Sequence, residues 1–199
     1  MYEDGSPNPI GRVSSDDDTR PKALLRCKKP FLMTTFNVNT VREDSRLKEL
    51  AHCFSSHGIS ILGIQEHCRV HDDSLVFTRI EGQYLITASA WRNAAQAANG
   101  GVGMLLDSRA RKSLRRAVTH TKRILIAEFD SSPVTTVIIA YLPTNVSPLE
   151  DIESFYEDLS AAIRGVPAHN FLAVLGDFNA RLGQGDVPFT YHKETNRNG

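Results

Sequence analysis

Phe171-Leu172-Ala173-Val174-Leu175-Gly176-Asp177-Phe178-Asn179-Ala180 is an apolar run that ends abruptly in Gly, Asp and Asn. Such a run suits a buried strand that delivers polar side chains to a surface cleft. With a period of two, Asp177 and Asn179 are expected on one face, Gly176 and Phe178 on the other. An acid and an amide side by side at a strand end suit chemistry on a phosphate. The carboxylate can bind a metal-bound water or accept its proton, and the amide can donate to a phosphoryl oxygen without adding negative charge. The same Gly-Asp-x-Asn spelling also makes ordinary Asx turns. Its weight therefore depends on the rest of the chain.

The residues before this strand spell a helix. Ser147 is the expected N-cap, Pro148 takes the first position and Glu150 completes a capping box. Ile152, Phe155, Tyr156, Leu159 and Ile163 form its expected buried stripe, and Gly165 and Pro167 stop it. Ahead of the helix, residues 134–140 read as a strand ending in Tyr141-Leu142-Pro143-Thr144-Asn145. A phenol there can hydrogen-bond a phosphoryl oxygen or close the core as an amphipathic residue.

Further toward the N-terminus, residues 31–36 read as a strand leading into Asn37-Val38-Asn39. A helix over about 42–56 places Leu47, Leu50, Ala51 and Phe54 on one face, and Gly58 ends it. Residues 59–64 then form a second buried strand, finishing in Gln65-Glu66-His67. A carboxylate directly after such a run either caps the strand at the surface or offers the oxygen ligand that a hard cation such as Mg²⁺ prefers.

The middle of the chain reads as antiparallel, with strands over 84–88, 101–106, 124–129 and 134–140. Asn99-Gly100-Gly101-Val102-Gly103 lacks the glycine spacing and following helix of a dinucleotide site, so these glycines are expected to shape a turn or admit close backbone approach. Arg109, Arg111, Lys112, Arg115, Arg116, Lys122 and Arg123 run without an intervening acid. They are either a solvated loop or a phosphate-backbone contact. Trp91, next to Arg92, either stacks on a base or packs beneath the glycine turn.

Composition bounds the rest. At 199 residues the chain can bury one ordinary core, and its formal net charge of zero leaves the choice of partner to the local distribution of charge. Cys27, Cys53 and Cys68 are odd in number and lack metal-ligand spacing, so a reducing, intracellular compartment is expected. No apolar run is long enough to span a bilayer, and no membrane partner is expected. Residues 1–29, with Gly5, Pro7, Pro9, Gly11 and Asp16-Asp17-Asp18, carry no periodic apolar face and are expected to be a disordered leader; residues 30–199 form the domain.

Four apolar runs thus end in polar groups: Asn37, Glu66, Tyr141, and Asp177 with Asn179. Taken in this order, Phe36-Asn37-Val38-Asn39, Ile64-Gln65-Glu66, Ala140-Tyr141-Leu142-Pro143-Thr144 and Leu175-Gly176-Asp177-Phe178-Asn179-Ala180 resemble the endonuclease/exonuclease/phosphatase family. The run Asn37-Val38-Asn39-Thr40-Val41-Arg42, the segment Gly100-Gly101-Val102-Gly103 and the tail Thr195-Asn196-Arg197-Asn198-Gly199 look most like one branch. That branch is the endonuclease domain of non-LTR retrotransposons, which includes sequences of the craniofacial development protein 2 type.

The resemblance implies an α/β fold, a four-layer αββα sandwich of the DNase I-like type with its active site at the strand ends. It implies a divalent metal, Mg²⁺ or Mn²⁺, hydrolysis of a phosphodiester in DNA, and therefore a nuclear location. It implies that Glu66 ligates the metal with Asn37 beside it, and that Asp177 orients or deprotonates the attacking water. Asn179 would hold the phosphate and Tyr141 would stabilise the charge building on it. Arg115, Arg116, Lys122 and Arg123 are the candidate nucleic-acid contacts. A reverse transcriptase, normally in the same polypeptide, would be the companion, absent from this sequence. Family members also carry a later Asp and a closing Ser-Asp-His, which this sequence does not reach by Gly199. His67, His169 and His192 do not match that histidine's place. The expectation is a C-terminally truncated copy with an incomplete second half and impaired nicking. An inositol-phosphate or lipid phosphatase of the same fold, and a non-catalytic nucleic-acid-binding fragment, are the alternative readings.

Overall fold

A computed structural model describes residues 25–26, 31–144 and 146–179. Its strands are β1 (Leu32–Asn37), β2 (Ile59–Gln65), β3 (Leu75–Ile80), β4 (Gln83–Ala88), β5 (Val102–Leu106), β6 (Leu114–Thr121), β7 (Ile124–Phe129), β8 (Thr135–Tyr141) and β9 (Phe171–Asp177). The helices are α1 (Asp44–Ser56), α2 (Ser108–Ser113) and α3 (Leu149–Arg164). They build two mixed sheets, one in the order β1-β2-β5-β4-β3 and the other in the order β9-β8-β7-β6. In each sheet the edge pair that carries the site, β1–β2 or β8–β9, is parallel, and the remaining pairs are antiparallel.

The strand period of two divides each strand between layers. From the first sheet Ile61, Ile86, Val102, Met104 and Leu106 point inward, and from the second Leu125, Ala127, Phe129, Val137 and Ile139 meet them. The alternate residues Leu62, Ile64, Leu85 and Leu105 face outward onto Leu47, Ala51 and Phe54 of α1. Ile124, Ile138 and Ala140 likewise face Phe155, Leu159 and Ala162 of α3. The four-layer αββα sandwich follows from these three apolar clusters. Among the described residues no helix is long and apolar enough to cross a membrane.

Several local expectations are corrected. Ser147 does not cap α3: Pro148 is the N-cap, without a side-chain cap bond, and the Ser147 hydroxyl lies 3.4 Å from that of Thr144. Tyr156 and Ile163 are exposed, and Ala162 joins Phe155 and Leu159 in the buried stripe, because steps of four and three keep these on one face. The basic run is not a loop. It spans α2, the edge strand β6 and the turn into β7, where two adjacent arginines hid a strand that is paired on one side only among the described residues. Strand β3, an edge of the first sheet, was not anticipated either. Leu25–Arg26, assigned to the leader, pair in parallel with Ser131–Ser132. The readings on the rest of residues 1–29, on Cys27, Asn145, Ala180 and His192, and on residues 195–199, lie outside the described residues.

Phe54 is essentially buried and joins α1 to the first sheet. Phe54→Ala is expected to cost about 3–5 kcal/mol in equilibrium urea unfolding. A loss below 1 kcal/mol would mean that α1 does not share this core.

Candidate active site

The inward-facing register that packs the core also delivers the site. Asn37 is the last residue of β1, Tyr141 of β8 and Asp177 of β9, with Tyr141 opposite Asp177 in the β8–β9 pair. The side chains meet between the sheets. Asn37 Nδ2 donates to Glu66 Oε1 at 2.7 Å and to Asp177 Oδ2 at 3.1 Å. The Tyr141 hydroxyl donates to the same Glu66 Oε1 at 2.8 Å. Burial pushes the Tyr141 phenol up from its ordinary value; the bond to Glu66 and the charges of Glu66 and Asp177 add to this, and Arg123 opposes it. Tyr141 is thus held as a neutral O–H donor.

Glu66 reaches this cluster only through an unusual backbone. It follows Gln65, whose side chain is fully buried and paired with the Thr35 hydroxyl, at 2.9 Å from Nε2 and 3.1 Å from Oε1. Simple alternation would turn Glu66 toward the α1 layer. Instead it takes φ 58°, in the left-handed region, which is uncommon for a residue with a Cβ. Neighbouring backbone holds it there. The Glu66 N–H donates to Gly101 O at 2.9 Å, and its own carbonyl accepts from Thr40 N at 2.7 Å. Cys68 N donates to Gly100 O at 2.9 Å.

Gly100 and Gly101 have φ of 64° and 90°. A Cβ on Gly101 would fall 2.5 Å from His67 Nε2, and one on Gly100 would overlap the Trp91 indole. The expectation that these glycines shape a turn and admit close approach is met. Trp91 packs in the manner expected of the second of its two readings.

Asp177 and Asn179 combine both readings of Gly-Asp-x-Asn. Asn179 N donates to Asp177 Oδ1 at 2.9 Å, an Asx turn, with Asn179 at φ 45°. Phe178 packs on the α3 side with Leu172 and Val174, opposite to Asp177, as alternation expects. The strand end as a whole, Gly176 to Asn179, lines one open groove of about 590 Å³ with Thr35, Phe36, Asn37 and Gln65. Asn179 Nδ2 donates to Leu142 O at 2.8 Å, leaving its second amide hydrogen for a ligand.

The donor set suits a hard cation: a carboxylate at Glu66, a second at Asp177, and no sulfur or imidazole bonded to either among the described residues. Mg²⁺ is commonly held by one or two carboxylates, with water and phosphate oxygens completing its shell. Among the described residues no group of three His, Cys, Asp or Glu side chains forms a metal cage. Asn37 is placed differently from a ligand, because its Oδ1 accepts from Asn39 N at 3.0 Å and its nitrogen faces the carboxylates. It is a donor bridging two acids.

Residues 34–196 match the model of the endonuclease/exonuclease/phosphatase family. The chain belongs to that family. Craniofacial development protein 2 of Bos taurus is 26% identical over 185 residues, covering 89% of this chain and 29% of the relative. Its counterpart from Tragulus javanicus is 24% identical, covering 89% and 30%. The chain therefore spans about a third or less of the length of these curated relatives. Among solved structures, the 3′ phosphatase NExo from Neisseria, bound to a product DNA hairpin, superposes with TM-score 0.57 at 21% identity, covering 77% of this chain and 60% of that one. An AP endonuclease from Archaeoglobus fulgidus gives 0.55 at 18% identity, covering 75% and 58%. At these identities the likeness bears on the fold, which is that of the family.

Within this family fold the four basic candidates separate. Arg116 lies opposite Glu128, and Glu128 opposite Thr136. From Thr136 to Tyr141 is roughly 17 Å along β8. Arg115 and Arg116 are therefore at the far end of the sheet, with Arg115 3.5 Å from Glu128, and are not brought to the site. Lys122 and Arg123 sit in the turn at the near end. The Arg123 guanidinium lies 4.5 Å from the Trp91 ring and 5.3 Å from the Tyr141 ring.

His67 supports the site without touching substrate space. Its Nε2–H is shared between Ala88 O (3.0 Å) and Val102 O (3.2 Å), and Nδ1 accepts from Arg69 N (3.0 Å). The sequence reading set His67 aside as a catalytic histidine and gave Gln65 and Thr35 no role; the only available signal was a polar pair continuing an apolar strand.

Burial pushes the His67 imidazole down from 6.5 to about 4, against the pull of the Val102 and Ala88 carbonyls, with the charges of His71 and Arg69 lowering it further. The unfolded chain therefore takes up this proton before the folded one does. The stability so gained is complete above pH 6.5 and is lost as the pH falls through about 4. It is on the order of 3 kcal/mol. Urea unfolding across that range should show the decline in the native chain and a shallower one in His67→Gln. Equal slopes would remove His67 as its source.

Proposed function

We propose that this chain carries the phosphodiesterase site of a DNA-nicking endonuclease, served by Mg²⁺ or Mn²⁺ held at Glu66. The observation that carries this reading is the junction at Glu66 Oε1, where Asn37 and Tyr141 both donate while Asn37 also reaches Asp177. Two acids and a neutral phenol joined through Asn37, beside an open groove lined by Asn37, Asp177 and Asn179, fit an anionic substrate and an activated water. A cation bound at Glu66 would offset the repulsion between the carboxylates and an incoming phosphate.

The chain's own groups divide the remaining work. Asp177, steadied by Asn37 and by the Asn179 N–H, accepts the proton of the attacking water. Asn179 offers its second amide hydrogen to a phosphoryl oxygen, and the single Tyr141 O–H, turning from Glu66 to that oxygen, meets the charge that builds there. Among the described residues no histidine is hydrogen-bonded to Glu66 or Asp177.

DNA is favoured over a small phosphate ester by Lys122 and Arg123 at the site's end of the second sheet, and by the DNA hairpin held by the Neisseria relative of this fold. The resemblance to non-LTR retrotransposon endonucleases supports a reverse transcriptase as companion and a nuclear place of action.

With Mg²⁺ and supercoiled plasmid, the purified chain should produce nicked circles, and inositol phosphates should release no phosphate. Asp177→Ala should lower the nicking rate about 10²- to 10⁴-fold, and Tyr141→Phe about 10²-fold or more. Release of phosphate from an inositol phosphate, with intact plasmid, would assign the site to a phosphatase instead. Calorimetric titration with Mg²⁺ should give a binding isotherm that Glu66→Gln weakens at least about tenfold. Equal affinity in the two chains would move the cation away from Glu66.

A further inference from the structure

We propose that Trp91 is a positioning residue: by holding the ring of Tyr141 it keeps that phenol on Glu66. The proposal rests on the phosphodiesterase reading above, and it concerns a residue that makes no bond to Glu66 or Asp177.

Trp91 lies in a short antiparallel ribbon, Trp91–Arg92 against Ala98–Asn99, that leads directly into Gly100 and Gly101. Three neighbours define the place of its indole. The Tyr141 ring stacks against it, with centroids 6.4 Å apart and planes 24° from parallel. The Arg123 guanidinium lies 4.5 Å from the indole centroid. Gly100 approaches so closely that a Cβ there would overlap the indole ring. With these neighbours in place the half-buried indole is held from three sides.

These contacts join both halves of the Glu66 environment. On one side Tyr141 is only 7% exposed, and its hydroxyl reaches Glu66 Oε1 at 2.8 Å. A phenol can donate along that line only while its ring stays in one plane, and the stacked indole limits the alternatives. On the other side, Gly100 and Gly101 accept the N–H groups of Cys68 and Glu66 that hold the left-handed turn. Arg123 closes the group, donating from Nη1 to Tyr141 O at 3.4 Å and lying 5.3 Å from the Tyr141 ring. Loss of the indole would free the Tyr141 ring and loosen the glycine turn behind Glu66.

Trp91 is the single tryptophan in the chain, so an amide-detected nitrogen–proton NMR spectrum contains one indole N–H resonance. In metal-free protein, Glu66→Gln and Tyr141→Phe should each shift that resonance, whereas Glu128→Gln, at the far end of the second sheet, should leave it in place. In the nicking assay with Mg²⁺, Trp91→Leu should lower kcat about tenfold with KM unchanged, and Trp91→Phe should stay within about twofold of the native chain. An indole resonance unmoved by both site variants, or native kcat in Trp91→Leu, would overturn the proposal. Should the native chain nick no DNA, the phosphodiesterase reading falls, and the indole resonance alone decides whether Trp91 is coupled to Glu66.

Discussion

One carboxylate oxygen, Glu66 Oε1, joins the two halves of this molecule. It accepts from Asn37 at the end of the first sheet and from Tyr141 at the end of the second. Asn37 extends the link to Asp177 on β9, the edge strand of the second sheet beside β1. Two acids placed near one another repel strongly in a partly desolvated cleft. An amide donating to both gives each a partner without adding charge, so the arrangement can exist before any substrate arrives. The parallel edge pairs β1–β2 and β8–β9 are what bring these strand ends to the same place.

The junction also explains where the chain tolerates strain. Asn39, Thr40, Glu66 and Cys68 all adopt left-handed backbone, with φ of 43°, 78°, 58° and 55°. Left-handed residues bearing a Cβ cost of order 1–3 kcal/mol each, and they persist only where their surroundings leave no alternative. Here Val38, Thr40 and Val41 donate in turn to Gln65, Glu66 and His67, while Gly100 and Gly101 hold the other side. A buried neutral histidine fills the space that Gly101 leaves. The fold spends stability around Glu66 to aim one carboxylate against the alternation of its strand.

Charge is distributed according to the same geometry. The basic run looks uniform along the chain, yet folding sends Arg115 to Glu128 and Arg123 to Trp91 and Tyr141. A partly exposed pair such as Arg115–Glu128 contributes at most about 1 kcal/mol and leaves Arg115 far from the groove. Arg123 is half-buried, with its cation against two rings. Two arginines eight positions apart in one strand-turn segment thus serve different ends of the sheet.

The sequence by itself determined the buried strands and the order of their polar ends, because apolar runs of strand length that stop at Asn37, Glu66, Tyr141 and Asp177 are local patterns. It also determined α1, and α3 except for its cap and the rim of its stripe. Edge strands β3 and β6 were not legible, since an edge needs no continuous apolar signal and tolerates charges. Only the tertiary structure decided which polar ends meet, that Asn37 turns its nitrogen rather than its oxygen to the acids, and that Lys122 and Arg123 are near the site while Arg115 and Arg116 are not. The physical reason is range. Propensity and periodicity act over a few residues, whereas the bond from Asn37 to Asp177 spans 140 positions and exists only once two sheets have packed face to face.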